Sequence, residues 1–204
     1  DSTLKINLKN RTFNEINSFN KFISAPQTSV QVDLNMESMV QPIPFSIPSH
    51  FFRPSRSHAV VVGGGTMGVD VAVVLCRGGC RTIIVEANAE RRAKVPELVG
   101  NGLSQLQASP QQDKLTVAGC LKEIDWSKID LVIECIPERL DIKQVLFAEL
   151  ESLARPDALL ASNSSSFPIS AIAEGLQTSH RMLGLRFFMP AHLTPLVEVV
   201  SGQA

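Results

Sequence analysis

The sequence contains little of what would mark a nucleic-acid-binding, membrane or secreted protein. Its 204 residues include no tyrosine, one tryptophan and four cysteines, and the formal net charge is −1. The basic residues are spread along the chain, so no basic surface for nucleic acid is predicted. No apolar run approaches the roughly 20 residues that cross a bilayer, and no secretory signal is recognisable. We expect no nucleic-acid or membrane partner and a cytoplasmic location, or the mitochondrial matrix in a eukaryote.

The four cysteines do not form a metal-binding pattern. Cys76 and Cys80 are four positions apart, but no second pair of ligands follows them, as a zinc site would require. Like Cys120 and Cys135, they lie in apolar or strand-like segments. We therefore predict buried, reduced thiols and no metal.

The chain divides near residue 57 into two regions of different character. Residues 1–57 are rich in asparagine, serine and proline, with Pro42, Pro44, Pro48 and Pro54 close together. This composition predicts a poorly ordered extension with at most a marginal helix near Phe13 to Phe22. Nothing in it indicates chemistry, and the sequence alone leaves open whether it belongs to the native protein. Residues 58–204 are long enough for one domain with a substantial core.

Strand and helix patterns alternate from His58 onward, as in a doubly wound α/β protein. Continuous apolar runs, rather than alternating ones, indicate strands that are covered on both faces. The fold class predicted is a Rossmann-type, mostly parallel sheet. Strands are predicted at 59–62, 81–86, 115–117, 130–135, 158–161, 182–188 and 196–200, and helices at 67–77, 89–106 and 139–154, with a short helix beginning at Pro168.

A glycine-rich turn is the strongest local indication of function. The apolar run ending at Val62 leads into Gly63-x-Gly65-x-x-Gly68, a helical pattern follows, and the next strand ends at Glu86. In this arrangement the glycines allow a tight turn, close approach to a diphosphate and close helix–strand packing, while the acid binds the adenosine ribose. The pattern predicts a dinucleotide site that prefers NAD to NADP. The alternative is a glycine-rich turn without a ligand and a solvent-exposed Glu86.

Further motifs occur in a characteristic order along the chain. They are Thr66-Met67-Gly68, Asp130-Leu-Val-Ile-Glu-Cys-Ile-Pro-Glu138, Ala161-Ser-Asn-Ser-Ser-Ser166, Gly184-Leu-Arg-Phe-Phe-Met-Pro-Ala191 and Leu196-Val-Glu-Val-Val200. Together they resemble the NAD-binding domain of the 3-hydroxyacyl-CoA dehydrogenase family, over residues 58–202. The resemblance implies NAD as cofactor, acyl-CoA as substrate and oxidation of 3-hydroxyacyl-CoA to 3-oxoacyl-CoA in fatty-acid β-oxidation. It also implies a homodimer formed through a C-terminal helical domain that this sequence lacks.

The resemblance assigns a role to each matched position. Ser165 would hydrogen-bond the substrate oxygen, and Glu138 and Lys143 would contact the nicotinamide half of the cofactor. The cofactor-binding positions would be Gly63, Gly65, Thr66, Met67, Gly68, Glu86, Glu138, Lys143 and Asn163. From the residues alone, a solvated charge on a helix would be the preferred interpretation of Lys143, and only the motif makes a functional role equally well supported. A helix N-cap would be a sensible role for Ser165 alongside substrate binding.

The sequence departs from the family at Arg186, where relatives carry the catalytic histidine. Glu198, the residue that orients this histidine, is retained, whereas Met189 replaces an asparagine. A guanidinium has no lone pair and cannot act as a general base, so we predict an Arg186–Glu198 ion pair in place of the catalytic dyad. His192 is expected to be an ordinary loop residue. Three alternatives follow: a dehydrogenase domain, a catalytically impaired NAD-binding fragment or pseudo-enzyme, and, less favoured, a related enzyme of small hydroxy acids.

Overall fold

The computed structural model describes the backbone of residues 3–7, 53–107 and 112–201 and the side chains of 53–107 and 113–200. Within these ranges it contains one sheet of eight strands and four α-helices. The strands are β1 (Thr3–Asn7), β2 (His58–Val62), β3 (Arg81–Val85), β4 (Leu115–Ala118), β5 (Leu131–Glu134), β6 (Leu159–Ser162), β7 (Met182–Phe187) and β8 (Leu196–Ser201). The helices are α1 (Thr66–Arg77), α2 (Ala89–Gln105), α3 (Leu140–Leu153) and α4 (Ile169–Ile172).

The strand order is β1-β8-β7-β6-β5-β2-β3-β4. Strands β2 to β7 pair in parallel, and β8 and β1 are added antiparallel at one edge. The chain runs outward from β2 in one direction through β3 and β4, then returns to β5 on the other side of β2. Such a reversal opens a crevice at the carboxyl ends of the two central strands, where doubly wound sheets bind ligands.

Helices cover both faces of the sheet. Val61 packs in a cluster with residues of α1 and α2, whereas the adjacent Val60 packs with Phe147 and Leu150 of α3. Both valines have no exposed surface. Neighbouring strand residues point to opposite faces, so a central strand that is buried on both faces needs the continuous apolar run that β2 has.

The predicted fold class is confirmed, and the element bounds agree with the predicted ones to within one or two residues. Thr3–Asn7 nevertheless forms a strand inside the segment expected to lack regular structure. It pairs with β8, whose backbone groups would otherwise be free at the sheet edge. The helix predicted near Phe13 to Phe22 lies outside the described residues.

The predicted burial of the cysteines is confirmed for two of the four. All four are free; Cys76 and Cys80 are buried and Cys135 is partly buried. Burial of Cys120 was predicted and is wrong: this residue is exposed because it lies in the turn that follows β4. No helix in the described part of the chain is both long and apolar enough to span a bilayer.

Candidate functional site

The turn between β2 and α1 has the geometry that the glycine pattern predicts. Gly63 has a φ of +107°, and a Cβ atom there would lie 2.6 Å from the carbonyl oxygen of Cys135. A Cβ on Gly68 would lie 1.8 Å from the carbonyl oxygen of Gly63, so only glycine allows α1 to pack this closely on the turn. At Gly65, by contrast, no atom of the described residues would lie within 4 Å of a Cβ. The turn is therefore closed on its inner side and open at Gly65.

The first turn of α1 is suited to an anion. Gly65 is its N-cap and provides no side-chain hydrogen bond, and the first turn contains no acidic residue. The N–H groups of a first helical turn have no acceptor within the helix, and the helix dipole adds positive potential there. A diphosphate at this point would accept hydrogen bonds from these N–H groups, as it does in dinucleotide-binding folds.

Glu86 is held beside this turn by hydrogen bonds. Its Oε2 accepts from the backbone N–H of Gly64 at 3.0 Å and its Oε1 from that of Asn88 at 2.8 Å, while Nε of Arg91 lies 3.2 Å from Oε2. Burial raises the pKa of Glu86, but these hydrogen bonds and the Arg91 charge outweigh it and lower the pKa. The alternative of a solvent-exposed Glu86 is wrong, since only 7% of its surface is exposed.

Lys143 is a buried cation between two carboxylates. Its Nζ lies 2.6 Å from Oε1 of Glu134 and 3.1 Å from Oε2 of Glu138. Glu134 also accepts hydrogen bonds from the hydroxyl of Ser162 at 2.6 Å and from the N–H of Ile136 at 2.7 Å. The alternative of a solvated helix charge is wrong, because Lys143 is 1% exposed. A buried lysine is tolerated only when its charge is paired in this way.

Glu138 links this cation to the loop after β6. Its Oε1 accepts from the hydroxyl of Ser164 and from the backbone N–H groups of Ser165 at 3.1 Å and Ser166 at 3.0 Å. Burial raises the pKa of Glu138, but hydrogen bonds from Ser164, Ser166 and Lys143 outweigh it and lower the pKa to about 2. The carboxylate is ionised at neutral pH and orders the loop.

Glu138 is expected to make stability depend on acidic pH. Its folded-state pKa of about 2 lies below the ordinary value of 4.5, so its contribution is present above pH 4.5 and is lost as the pH falls towards 2. We expect Glu138→Gln to reduce the slope of the unfolding free energy against pH in this window. Urea unfolding at several pH values measures the slope, with Glu149→Gln at an exposed position of α3 as the control. A slope equal to that of the wild type would contradict the assignment.

Asn163 and Ser165 lie on the loop beyond the carboxyl end of β6, as predicted. Oδ1 of Asn163 accepts from the N–H of Phe187 at 2.8 Å, which joins this loop to the end of β7. The N-cap alternative for Ser165 is wrong, because the capping-type hydrogen bond, from the N–H of Phe167 at 3.1 Å, is accepted by Ser164. Ser165 is exposed.

The predicted ion pair between Arg186 and Glu198 is confirmed. The two residues are directly opposite on β7 and β8, and Nη1 of Arg186 donates to Oε2 of Glu198 at 3.1 Å. Nε donates to the carbonyl oxygen of Ser164 at 2.8 Å. The guanidinium therefore lies against the Asn163–Ser165 segment.

His192 makes its contacts away from this pair. Its Nε2 lies 3.0 Å from Oε1 of Gln105, and its Nδ1 lies 3.0 Å from Oδ1 of Asp70, without the alignment of a hydrogen bond. Asp70 also accepts from the N–H of Ala191 at 2.8 Å. These contacts attach the β7–β8 loop to α1 and α2, which is consistent with a structural role for His192.

Four residues that contact the site residues or anchor the neighbouring loop were not predicted from the sequence: Glu134, Ser162, Ser164 and Asp70. Glu134 had a signal: it is an acid at the end of the apolar strand β5, and a helical lysine follows nine positions later. Ser162 and Ser164 lie in a serine-rich loop where several members were equivalent by sequence. No sequence signal could have identified Asp70, because its partners are more than 100 positions away.

Alanine at Gly65 and at Gly68 is expected to separate ligand binding from folding. Gly68→Ala forces α1 away from the turn, and such overpacking costs about 3 kcal/mol. Gly65→Ala leaves stability within about 0.5 kcal/mol, since φ is −74° and the position is open, but it raises the NADH Kd at least about tenfold by filling the diphosphate position. Thermal unfolding and NADH fluorescence titration measure the two effects. Unchanged NADH affinity in Gly65→Ala would contradict the assignment of this turn.

Comparison with known proteins gives a consistent result. Residues 58–204 match the family model described as 3-hydroxyacyl-CoA dehydrogenase, NAD binding domain. The chain is 35% identical over 158 residues to the peroxisomal fatty acid beta-oxidation multifunctional protein AIM1 of Arabidopsis thaliana, covering 74% of this chain and 22% of that protein. It is 35% identical over 154 residues to the 3-hydroxyadipyl-CoA dehydrogenase of Escherichia coli, covering 71% and 32%.

A solved structure of similar fold is that of the 3-hydroxybutyryl-CoA dehydrogenase from Escherichia coli. It superposes with a TM-score of 0.62 at 29% identity, over 67% of this chain and 30% of that one. The chain thus spans between about a fifth and a third of the length of the curated relatives it matches.

Proposed function

The chain belongs to the 3-hydroxyacyl-CoA dehydrogenase family as its NAD-binding domain, and from this premise we propose which residues bind the cofactor. The turn Gly63–Gly68 binds the diphosphate through the N–H groups of α1, with Thr66 and Met67 in the first turn. Glu86 accepts hydrogen bonds from the adenosine ribose. The observation that carries this assignment is the hydrogen bond from the Gly64 N–H to Glu86, which holds an ionised carboxylate beside the turn.

We propose that Lys143, Glu138 and Asn163 surround the nicotinamide half of NAD. The ion pairs of Lys143 hold Glu138 in one orientation, and Glu138 in turn orders the Ser164–Ser166 loop. Ser165, exposed on this loop, is suited to hydrogen-bond a substrate oxygen. NAD, when bound, supplies the hydride acceptor. The substrate class of the whole protein would be 3-hydroxyacyl-CoA, and its assembly a homodimer.

A second candidate function is NAD binding without turnover. The observation that favours it is the Arg186–Glu198 ion pair, because oxidation of a hydroxyl requires a group that accepts its proton, and guanidinium does not. The compartment remains a prediction, cytoplasm or mitochondrial matrix. The relatives described above include a peroxisomal protein and two from a bacterium.

The cofactor assignment is tested by NADH titration of the chain and of Glu86→Ala. Hydrogen bonds to charged groups contribute about 1.5–3 kcal/mol, so loss of the ribose contact is expected to raise the NADH Kd at least about tenfold. NADPH should bind more weakly than NADH to the wild type, because its extra phosphate meets the Glu86 carboxylate. Glu86→Ala should reduce the difference between the NADPH and NADH Kd values.

Glu90→Ala is the matched control for Glu86→Ala. Glu90 is an exposed acid in the first turn of α2, four positions away, so its loss changes the same charge without removing the ribose contact. Its NADH Kd is expected to stay within about twofold of the wild type. Equal affinities of Glu86→Ala and the wild type for NADH would refute the assigned ribose contact.

A further inference from the structure

Each oxygen of the Glu86 carboxylate already has two polar contacts. Oε2 accepts from the backbone N–H of Gly64 at 3.0 Å and lies 3.2 Å from Nε of Arg91. Oε1 accepts from the backbone N–H of Asn88 at 2.8 Å and from Nη2 of Arg91 at 3.3 Å. A carboxylate offers about four lone-pair positions. A ribose hydroxyl that donates to Glu86 therefore has to displace one of these contacts.

Arg91 is the partner of Glu86 that can give way. The N–H groups of Gly64 and Asn88 belong to the main chain of the turn and of the α2 N-cap, so the fold holds them in place. The Arg91 side chain is 61% exposed, against 8% for Glu86, and ion pairs with an exposed partner contribute little net stability. Arg92 differs from Arg91, because its Nη1 donates to the main-chain carbonyl oxygen of Glu86 at 2.9 Å. Arg91 thus competes with the ribose for the carboxylate, whereas Arg92 supports the main chain.

Charged side chains of both signs lie at the start of α2. They are the acids Glu86, Glu90 and Glu123 and the cations Arg91 and Arg92. Glu123 belongs to this group because a Cβ atom on Gly119 would lie 3.0 Å from its Oε1 and 3.1 Å from Nη1 of Arg92. The three acids exceed the two cations, which is consistent with weaker binding of NADPH than of NADH. Loss of the Arg91 charge would increase this excess of negative charge.

We propose that Arg91 sets the margin by which the site prefers NADH to NADPH. The proposal rests on the proposed function, in which Glu86 binds the adenosine ribose. Arg91 occupies the carboxylate that the ribose of NADH needs, and this weakens the binding of NADH. Once displaced, the Arg91 guanidinium is a counter-charge for the 2′-phosphate of NADPH, because guanidinium binds phosphate through paired, charge-assisted hydrogen bonds. Arg91 therefore narrows the difference between the two cofactors from both sides.

Fluorescence titration of the full chain and of Arg91→Gln with NADH and NADPH tests the proposal. We expect Arg91→Gln to lower the NADH Kd about two- to threefold, because an exposed ion pair is a weak competitor. It should raise the NADPH Kd at least about fivefold, because a charge-assisted contact is lost. The ratio of the NADPH Kd to the NADH Kd then rises at least about tenfold. Arg91→Lys retains the positive charge, so its ratio should stay within about threefold of the wild-type ratio.

The double variant Glu86→Ala with Arg91→Gln tests the competition itself. Glu86→Ala has no carboxylate for Arg91 to occupy, so the added substitution should change its NADH Kd by no more than about twofold. The ligands 2′,5′-ADP and 5′-AMP differ by the 2′-phosphate alone, and ligand-observed NMR should give the same change of Kd ratio for this pair. Because neither ligand contains nicotinamide, that result is independent of how the nicotinamide half is bound.

Lys94→Gln is the matched control for Arg91→Gln. Lys94 is exposed one helical turn further along α2, and its loss changes the same charge without removing a Glu86 contact, so the NADPH-to-NADH ratio should stay within about twofold of the wild type. Circular dichroism verifies folding of each variant. An unchanged ratio in Arg91→Gln, or an equal change in Lys94→Gln, would overturn the proposal and leave the cofactor site in place. Failure of the wild type to bind either NADH or 5′-AMP would refute the cofactor site and the proposal together.

Discussion

The chain is expected to bind NADH yet to reduce acetoacetyl-CoA at least about a hundredfold more slowly than its Arg186→His variant. Positioned general acid–base catalysis contributes about 10²–10⁴ in rate. The imidazole of a histidine changes its protonation state near neutral pH, whereas the Arg186 guanidinium does not. In the structure Arg186 instead donates hydrogen bonds to Glu198 at 3.1 Å and to the Ser164 carbonyl oxygen at 2.8 Å.

The measurement follows NADH absorbance with acetoacetyl-CoA in two protein forms. One is the chain itself, and the other is the chain fused to the part of the Escherichia coli 3-hydroxybutyryl-CoA dehydrogenase that it does not cover, since this chain covers 30% of that one. A matched control, Arg81→His, introduces a histidine at the exposed first residue of β3 and should leave turnover at the wild-type level. Wild-type turnover within tenfold of the Arg186→His rate would exclude the pseudo-enzyme hypothesis.

Lys143→Met is expected to destabilise the chain by about 3–5 kcal/mol, the usual cost of removing one partner of a buried ion pair. Methionine fills a similar volume, but Glu134, with no exposed surface, loses the cation at 2.6 Å and keeps, among the described residues, the donors Ser162 and Ile136. Glu138 loses a partner at the same time. A domain of this size loses roughly 2–4 °C in Tm per kcal/mol, so a decrease of about 6–20 °C follows.

Thermal and urea unfolding measure this loss. Combining Lys143→Met with Glu134→Gln should recover part of the stability, because a neutral amide is less costly to bury than an unpaired carboxylate. Lys94→Met, at an exposed position of α2, should change stability by no more than about 0.5 kcal/mol. Equal free energies of unfolding for Lys143→Met and Lys94→Met would contradict a stabilising role of the buried Lys143–Glu134 pair.

Local sequence was sufficient for the elements from β2 to β8 and for the glycine-rich turn, but not for β1. The strands from β2 to β8 appear as apolar runs, and the glycines at 63, 65 and 68 bracket the start of α1. These signals are local because a strand buried on both faces needs consecutive apolar residues, and because a tight turn needs glycine at particular positions whatever the rest of the chain does. The ion pair of Arg186 with Glu198 was predicted from the family resemblance, and in the structure the two residues are directly opposite on the antiparallel strands β7 and β8.

Which polar side chains are buried together was decided only by the tertiary structure. The parallel pairing of β5 with β6 brings Glu134 opposite Ser162, and the packing of α3 then places the Lys143 ammonium between Glu134 and Glu138. In sequence, Lys143 is indistinguishable from a lysine on a solvated helix face. The attachment of the β7–β8 loop to Asp70 likewise joins residues 121 positions apart. Hydrophobic period and turn chemistry are properties of neighbouring residues, whereas the environment of a charge depends on which distant strand ends the sheet brings together.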